Sequence, residues 1–172
     1  SKEIKKNDVF FAIKGKSKNG SLFVKDAFKR GASLAIVNNL KGKSKQIKVK
    51  DTLQFLTKSS SLLRDNISGK IIAITGSCGK TSLKELLGKT LKKISSVTYS
   101  KKSFNNKLGV PLSLFNLKQN DEFGIFEIGM DKKGEIDYLS NIIKPEVGVI
   151  TNISYAHAKN FKNIKQIALA KS

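Results

Sequence analysis

Ile71-Ile-Ala-Ile-Thr-Gly-Ser-Cys-Gly-Lys-Thr-Ser82 reads as a buried strand that breaks into a phosphate-cradling loop. Gly76 and Gly79 permit a turn whose backbone N–H groups point inward, Lys80 offers a cation to the outer phosphates, and Thr81 offers a hydroxyl to magnesium. Beyond the loop, Leu83, Leu86, Leu87, Leu91 and Ile94 keep helical spacing, so the positive end of a helix adds to the site. The ordinary P-loop would place its first glycine where Ile74 stands, and the match is to a shortened form. Gly-Lys-Thr-Ser alone can be a plain helix start with a solvated lysine. Here a strand precedes it and a helix follows, which favours a nucleoside triphosphate with magnesium (Mg2+) on the loop that runs through Gly76, Ser77, Cys78, Gly79, Lys80, Thr81 and Ser82. Cys78 is either a small spacer or a thiol whose pKa is lowered by the helix end and Lys80.

From residue 70 onward strands and helices alternate: Ile71–Thr75, a helix from about Lys80, Val97–Tyr99, Gly124–Ile128, a helix near Glu135–Ile143, Val147–Thr151, and a helix from about Asn163. Alternation of this kind implies an α/β fold with a mostly parallel, doubly wound sheet. Such sheets collect ligand sites at the C-terminal ends of their strands, where Glu127 and Thr151-Asn152 with nearby His157 also fall. A carboxylate at residue 127 could bind magnesium or simply face solvent, and its apolar neighbours Ile125, Phe126 and Ile128 favour the metal. His157, the single histidine, is by chemistry alone either a surface residue or a ligand.

The first third reads as a smaller α/β unit. Val9–Ile13 and Leu34–Val37 are strand-like, Ser21–Arg30 is a helix stopped by Gly31, and Ile47–Val49 precedes a helix over Asp51–Asp65. Asp51 with Gln54 makes a capping box, and residues 66–69 form a linker. Residues 1–66 and 67–172 are the expected domains.

A 39% hydrophobic content is enough for a core, and no apolar run approaches the roughly 18 residues of a membrane helix. No signal-type segment opens the chain, and the lone Cys78 cannot form an internal disulfide; a cytoplasmic protein is expected. The net charge of +20 invites a nucleic-acid or acidic-surface reading. Against it, the lysines are spread along the chain, only Arg30 and Arg64 are arginines, and no basic segment is interleaved with aromatics.

Thr75–Ser82, Asn105-Asn-Lys-Leu-Gly-Val-Pro-Leu112, Glu127-Ile-Gly-Met130, Gly134-Glu-Ile136, Thr151-Asn-Ile153 and Ala156-His157 together resemble the Mur ligases, most closely the MurF type. Asn7–Gly15, Asn19-Gly20, Phe23, Ala27 and Gly31-Ala32 look like that family's N-terminal domain, which holds the UDP end of the substrate. The subtype rests on Asn105-Asn106 followed by Gly109-Val-Pro111, where a MurE ligase would carry Thr-Thr-Pro. The resemblance implies a small UDP-binding domain, the first part of an ATP-binding domain, and a missing C-terminal domain. A piece of that extent would leave an unfinished sheet with an exposed edge or apolar patch.

By resemblance, Lys80 would meet the outer phosphates, Thr81 and Glu127 would bind magnesium, and His157 a second magnesium. Lys171 would be a carbamylated, metal-binding lysine, against the plainer reading of a solvated lysine on a terminal helix. Asn105 and Asn106 would contact the muramoyl peptide or cap a turn, two options of equal standing. Ser1-Lys2 reads as the remnant of an Asp-Ser-Arg motif, which counts Ser1 among the substrate-binding residues. Ser103 and Ser21 depart from an asparagine and a histidine usual in the family.

The complete enzyme, a monomer by the same resemblance, would use ATP to add D-alanyl-D-alanine to UDP-N-acetylmuramoyl-tripeptide through an acyl phosphate in peptidoglycan precursor synthesis. The alternatives are a sister ligase adding a single amino acid, or a basic P-loop ATPase or nucleotide-binding module.

Overall fold

The computed structural model describes residues 4–15, 18–42, 44–155, 161 and 163–172. They form two compact units, one up to Lys58 and one from Ser59.

In the first unit, β1 (Val9–Phe11), β2 (Leu34–Val37) and β3 (Gln46–Lys48) make a parallel sheet in the order β1-β2-β3. Ala12, Val24, Ala35 and Val37 are its buried core, with Phe10 and Phe28 packed against them. The first strand is shorter than its apolar run suggests because the Ile13 N–H turns back to the Phe11 carbonyl at 2.9 Å. The helix expected from Ser21 divides into a 3-10 turn, Gly20–Phe23, and α1 (Val24–Lys29). The Asp51 carboxylate accepts from the N–H groups of Leu53 and Gln54 and so caps α2 (Thr52–Asp65), within which the unit boundary falls.

The second unit holds β4 (Lys70–Thr75), α3 (Lys80–Leu91), β5 (Val97–Tyr99), α4 (Gly109–Leu114), β6 (Phe123–Glu127), α5 (Glu135–Ile143), β7 (Val147–Ile150) and α6 (Ile164–Lys171). Its four strands are all parallel in the order β5-β6-β4-β7. Successive residues of β4 serve opposite faces. Ile72 and Ile74, with Ile125, pack against Leu83, Leu87 and Leu91 of α3. Ile71 and Ala73 join Val110, Leu114, Phe126, Ile136, Leu139 and Ile167 in the larger core on the other face. Helices on both faces bury the sheet, as continuous apolar strands require. At the edge, Val147 and Ile150 of β7 are 45% and 42% exposed.

Two features differ from the sequence reading. Leu86 is 66% exposed, and Ile94 lies beyond the end of α3 and is 78% exposed, so the apolar stripe is narrower than its spacing suggests. The short α4 went unread because Gly109 and Pro111 look like loop residues. Pro111 is tolerated because it lies in the first turn, where N–H groups have no helical acceptor.

Arg64 ties the end of α2 to the end of α5 and to the segments that lead into β4 and β7. Its buried guanidinium donates to the carbonyls of Ile143, Ile67 and Lys144 at 2.8, 2.9 and 3.0 Å, and to Glu146 Oε1 at 2.5 Å. Burial pushes the Glu146 carboxyl up, but the Ile71 N–H and the Arg64 cation outweigh it and hold the group below 4.5. Arg64→Ala is expected to cost roughly 3 kcal/mol in urea unfolding, since three carbonyls lose their donor at once. A carboxyl with a lowered folded pKa stabilises above its unfolded value and loses that contribution as pH falls through the folded one. Glu146→Gln should therefore flatten the loss of thermal stability below about pH 4.5.

Candidate functional site

The turn after β4 is built on positive φ: Gly76 at 141° and Gly79 at 80°, the latter the N-cap of α3. A side chain at residue 76 has no room, because a Cβ there would stand 1.9 Å from Thr151 Oγ1. Thr151 and Asn152, which follow β7, brace the loop. The Thr151 hydroxyl donates to the Cys78 carbonyl at 2.6 Å, the Asn152 carbonyl accepts from Ser77 N–H, and its side-chain oxygen accepts from Cys78 N–H. Leu83 N–H is the first in α3 to bond back, to Gly79 O at 2.9 Å. The N–H groups of residues 80–82 therefore lie at the open, positive end of the helix. Lys80 Nζ donates to Gly76 O at 2.7 Å, folding its cation over the loop.

Glu127 ends β6 on the face that carries Ile125, so strand alternation aims it at α3, and it is only 1% exposed. Its Oε2 accepts from the Thr81 hydroxyl and its Oε1 from the Asn105 side-chain amide, both at 2.7 Å. A buried carboxylate and a hydroxyl in contact at the phosphate loop are hard oxygen donors of the kind magnesium takes. Such an ion needs only one or two protein ligands when phosphates and water complete its shell. The residues present fit a magnesium–nucleotide site. Among the described residues no cluster of three or more His, Cys, Asp or Glu side chains is placed to hold a metal.

Asn106 caps the turn into α4, its side-chain oxygen accepting from Leu108 and Gly109 N–H at 3.1 and 2.9 Å. Cys78 is exposed, and its sulfur accepts from the Asn152 amide. Ser82 is exposed on the first turn of α3.

Lys171 is 4% exposed, not solvated, and burial together with the charge of Lys80 pushes its pKa down. It lines a cavity of about 260 Å3 with Thr75, Ser140 and Ile150. Thr75, on the opposite face of β4 from Ile74, has a buried hydroxyl with no hydrogen-bond partner among the described residues. In the first unit a cavity of about 450 Å3 is lined by Lys14, Asn19, Asn38, Lys50, Asp51 and Thr52. His157 and Ser1 lie outside the described residues.

Sequence reasoning did not find the bond from Asn105 to Glu127, nor the brace formed by Thr151. The alternation of β6 was a legible signal only for the direction of Glu127, which it sets opposite the helix that begins at Lys80. Gly76→Ala should weaken nucleotide binding by at least ~10-fold in calorimetric titration, because both the φ of 141° and the contact with Thr151 forbid the added methyl.

The Mur ligase middle-domain family matches residues 74–172. The UDP-N-acetylmuramoyl-tripeptide–D-alanyl-D-alanine ligase of Rickettsia prowazekii is 40% identical over 99% of this chain and 38% of its own length. The structure of MurF from Acinetobacter baumannii superposes with a TM-score of 0.88 at 34% identity, over 99% of this chain and 38% of that one. MurF from Thermotoga maritima, solved in complex with ADP, gives 0.84 at 33% identity, over 99% and 40%. The chain thus spans about two fifths of the length of these relatives, and on the matched motifs, the parallel sheet and the phosphate loop it belongs to the Mur ligase family.

Proposed function

We propose that this chain is part of an ATP-dependent ligase that joins D-alanyl-D-alanine to UDP-N-acetylmuramoyl-tripeptide, a step of peptidoglycan precursor synthesis. The observation that carries the reading is the contact of Thr81 with Glu127 at a phosphate loop, in a chain similar along nearly its whole length to ligases of that name.

The chemistry asks for a leaving group on a carboxylate. The tripeptide's terminal carboxylate oxygen attacks the outer phosphorus of ATP, ADP departs, and an acyl phosphate remains. The dipeptide amine then attacks the acyl carbon, phosphate leaves, and the nitrogen gives up its proton. Residues 76–82 hold the phosphates by backbone N–H groups and the Lys80 cation, which stabilise charge as it builds on the transferring group. Thr81 and Glu127 would hold magnesium, which would neutralise phosphate charge when bound. By the family resemblance, His157 would bind a second magnesium. The cavity of the first unit, with Lys14 and Lys50 beside the capped start of α2, suits the diphosphate and uridine of the substrate.

Lys171 is a carbamylation site on this reading. Its lowered pKa favours the neutral amine, whose lone pair bonds to the carbon of CO2 while a proton is lost, turning a cation into an anion. Thr75, whose buried hydroxyl has no hydrogen-bond partner among the described residues, lines the same cavity. Bicarbonate should then raise the mass of the Lys171 peptide by one CO2 on trapping, and Lys171→Ala should abolish the gain.

The full-length gene product, given UDP-muramoyl tripeptide and ATP, should release ADP and gain product mass with D-alanyl-D-alanine. ADP release with a single amino acid only would move it to a sister ligase, and none with either would return it to an ATPase or binding module. Lys80→Ala should lower turnover by at least ~10²-fold while the circular dichroism spectrum is kept.

A further inference from the structure

Lys84 is among the largest fully buried side chains of the described residues, and the chemistry above does not use it. Its Nζ donates to the Lys102 carbonyl at 2.5 Å and stands 3.3 Å from the Glu85 carboxylate. Packing gives no reason for an ammonium here, since a methionine would fill the same space without the cost of desolvating a charge. The bond itself supplies a reason. Lys102 holds a left-handed backbone, φ 52°, which a residue with a side chain adopts only when its surroundings impose it. Three residues further along the same loop stands Asn105, whose amide orients Glu127. The Asn105 carbonyl also accepts from Gly129 N–H at 2.7 Å, just past the end of β6.

The contacts close a ring. It leaves α3 at Lys84, passes through the loop by Lys102 and Asn105, reaches Glu127, and returns to α3 at Thr81. Thr81 and Lys84 are three apart, so they are neighbours on one helix surface. We propose that Lys84 is a positioning residue for the divalent-cation site, fixing the 101–106 loop so that Asn105 presents Glu127 to Thr81. The inference rests on the reading of Thr81 and Glu127 as cation ligands.

The test measures the half-saturating magnesium concentration for ADP release by the full-length gene product, in Lys84→Met, Asn105→Ala and the double variant. Lys84→Met should raise it about tenfold, the size seen when an outer partner that orients a metal ligand is lost. The double variant should need no more magnesium than Asn105→Ala alone, because both act through one chain of contacts. A lowered melting temperature with an unchanged magnesium requirement, or effects that multiply in the double variant, would overturn the proposal. Should Lys84→Met fail to fold, Lys84→Arg runs the same cycle, with a severalfold rise expected and no rise overturning it. Glu127→Gln separates the two readings. An unchanged requirement there removes the cation reading itself; a raised one beside an unchanged Lys84 variant removes only this proposal.

Discussion

Both edges of β4 are paired, by β6 on one side and β7 on the other, and the positions of the phosphate loop, Glu127 and Thr151 follow from that. A central parallel strand ends between the ends of its neighbours. The turn after Thr75 therefore opens where Glu127 leaves β6 and where Thr151 and Asn152 leave β7. The first neighbour supplies a carboxylate and the second a brace, and α3 starts between them with its N–H groups directed outward. No loop has to travel far to assemble the site, which is the advantage of the switch point in a doubly wound sheet.

The electrostatics divide by face. On the α3 face the buried Glu127 has Thr81 and Asn105 as donors, so its charge is met by hydrogen bonds. On the other face burial first, and the charge of Lys80 second, lower the affinity of Lys171 for its proton. On the proposed reading, a triphosphate against Lys80, or a carbamate at Lys171, would relieve that repulsion. The lysine-rich composition is thus informative where a lysine is buried, which among the described residues is at Lys84 and Lys171, and says little where it is solvated.

Much of this was legible in the sequence. The apolar run 71–74 and the Gly76 to Ser82 turn identified β4, the loop and α3, and the alternation beyond them identified β6, α5 and β7 with ends shifted by about a residue. Residues 97–99 and 34–37 fall in strands with the bounds read from their composition. What was not legible depends on contacts between distant residues. Asn105 and Glu127 are 22 apart, and Thr151 reaches Cys78 across 73 positions. Nothing in local propensity reports such a bond, nor that Leu86 of a well-spaced stripe points away from the sheet. Lys84 was visible in principle, as a cation on the inward stripe with Leu87, Gly88 and Leu91. In a chain with 33 basic residues, one more lysine carried no contrast.

Hydrogen–deuterium exchange of the full-length gene product with magnesium and a non-hydrolysable ATP analogue tests the central claim most directly, that one nucleotide site is assembled from the ends of three adjacent strands. Slowed exchange at residues 76–82 together with 127–129 and 151–152 is the predicted result. Protection that leaves 76–82 unchanged, or that reaches them without the ends of β6 and β7, would contradict it.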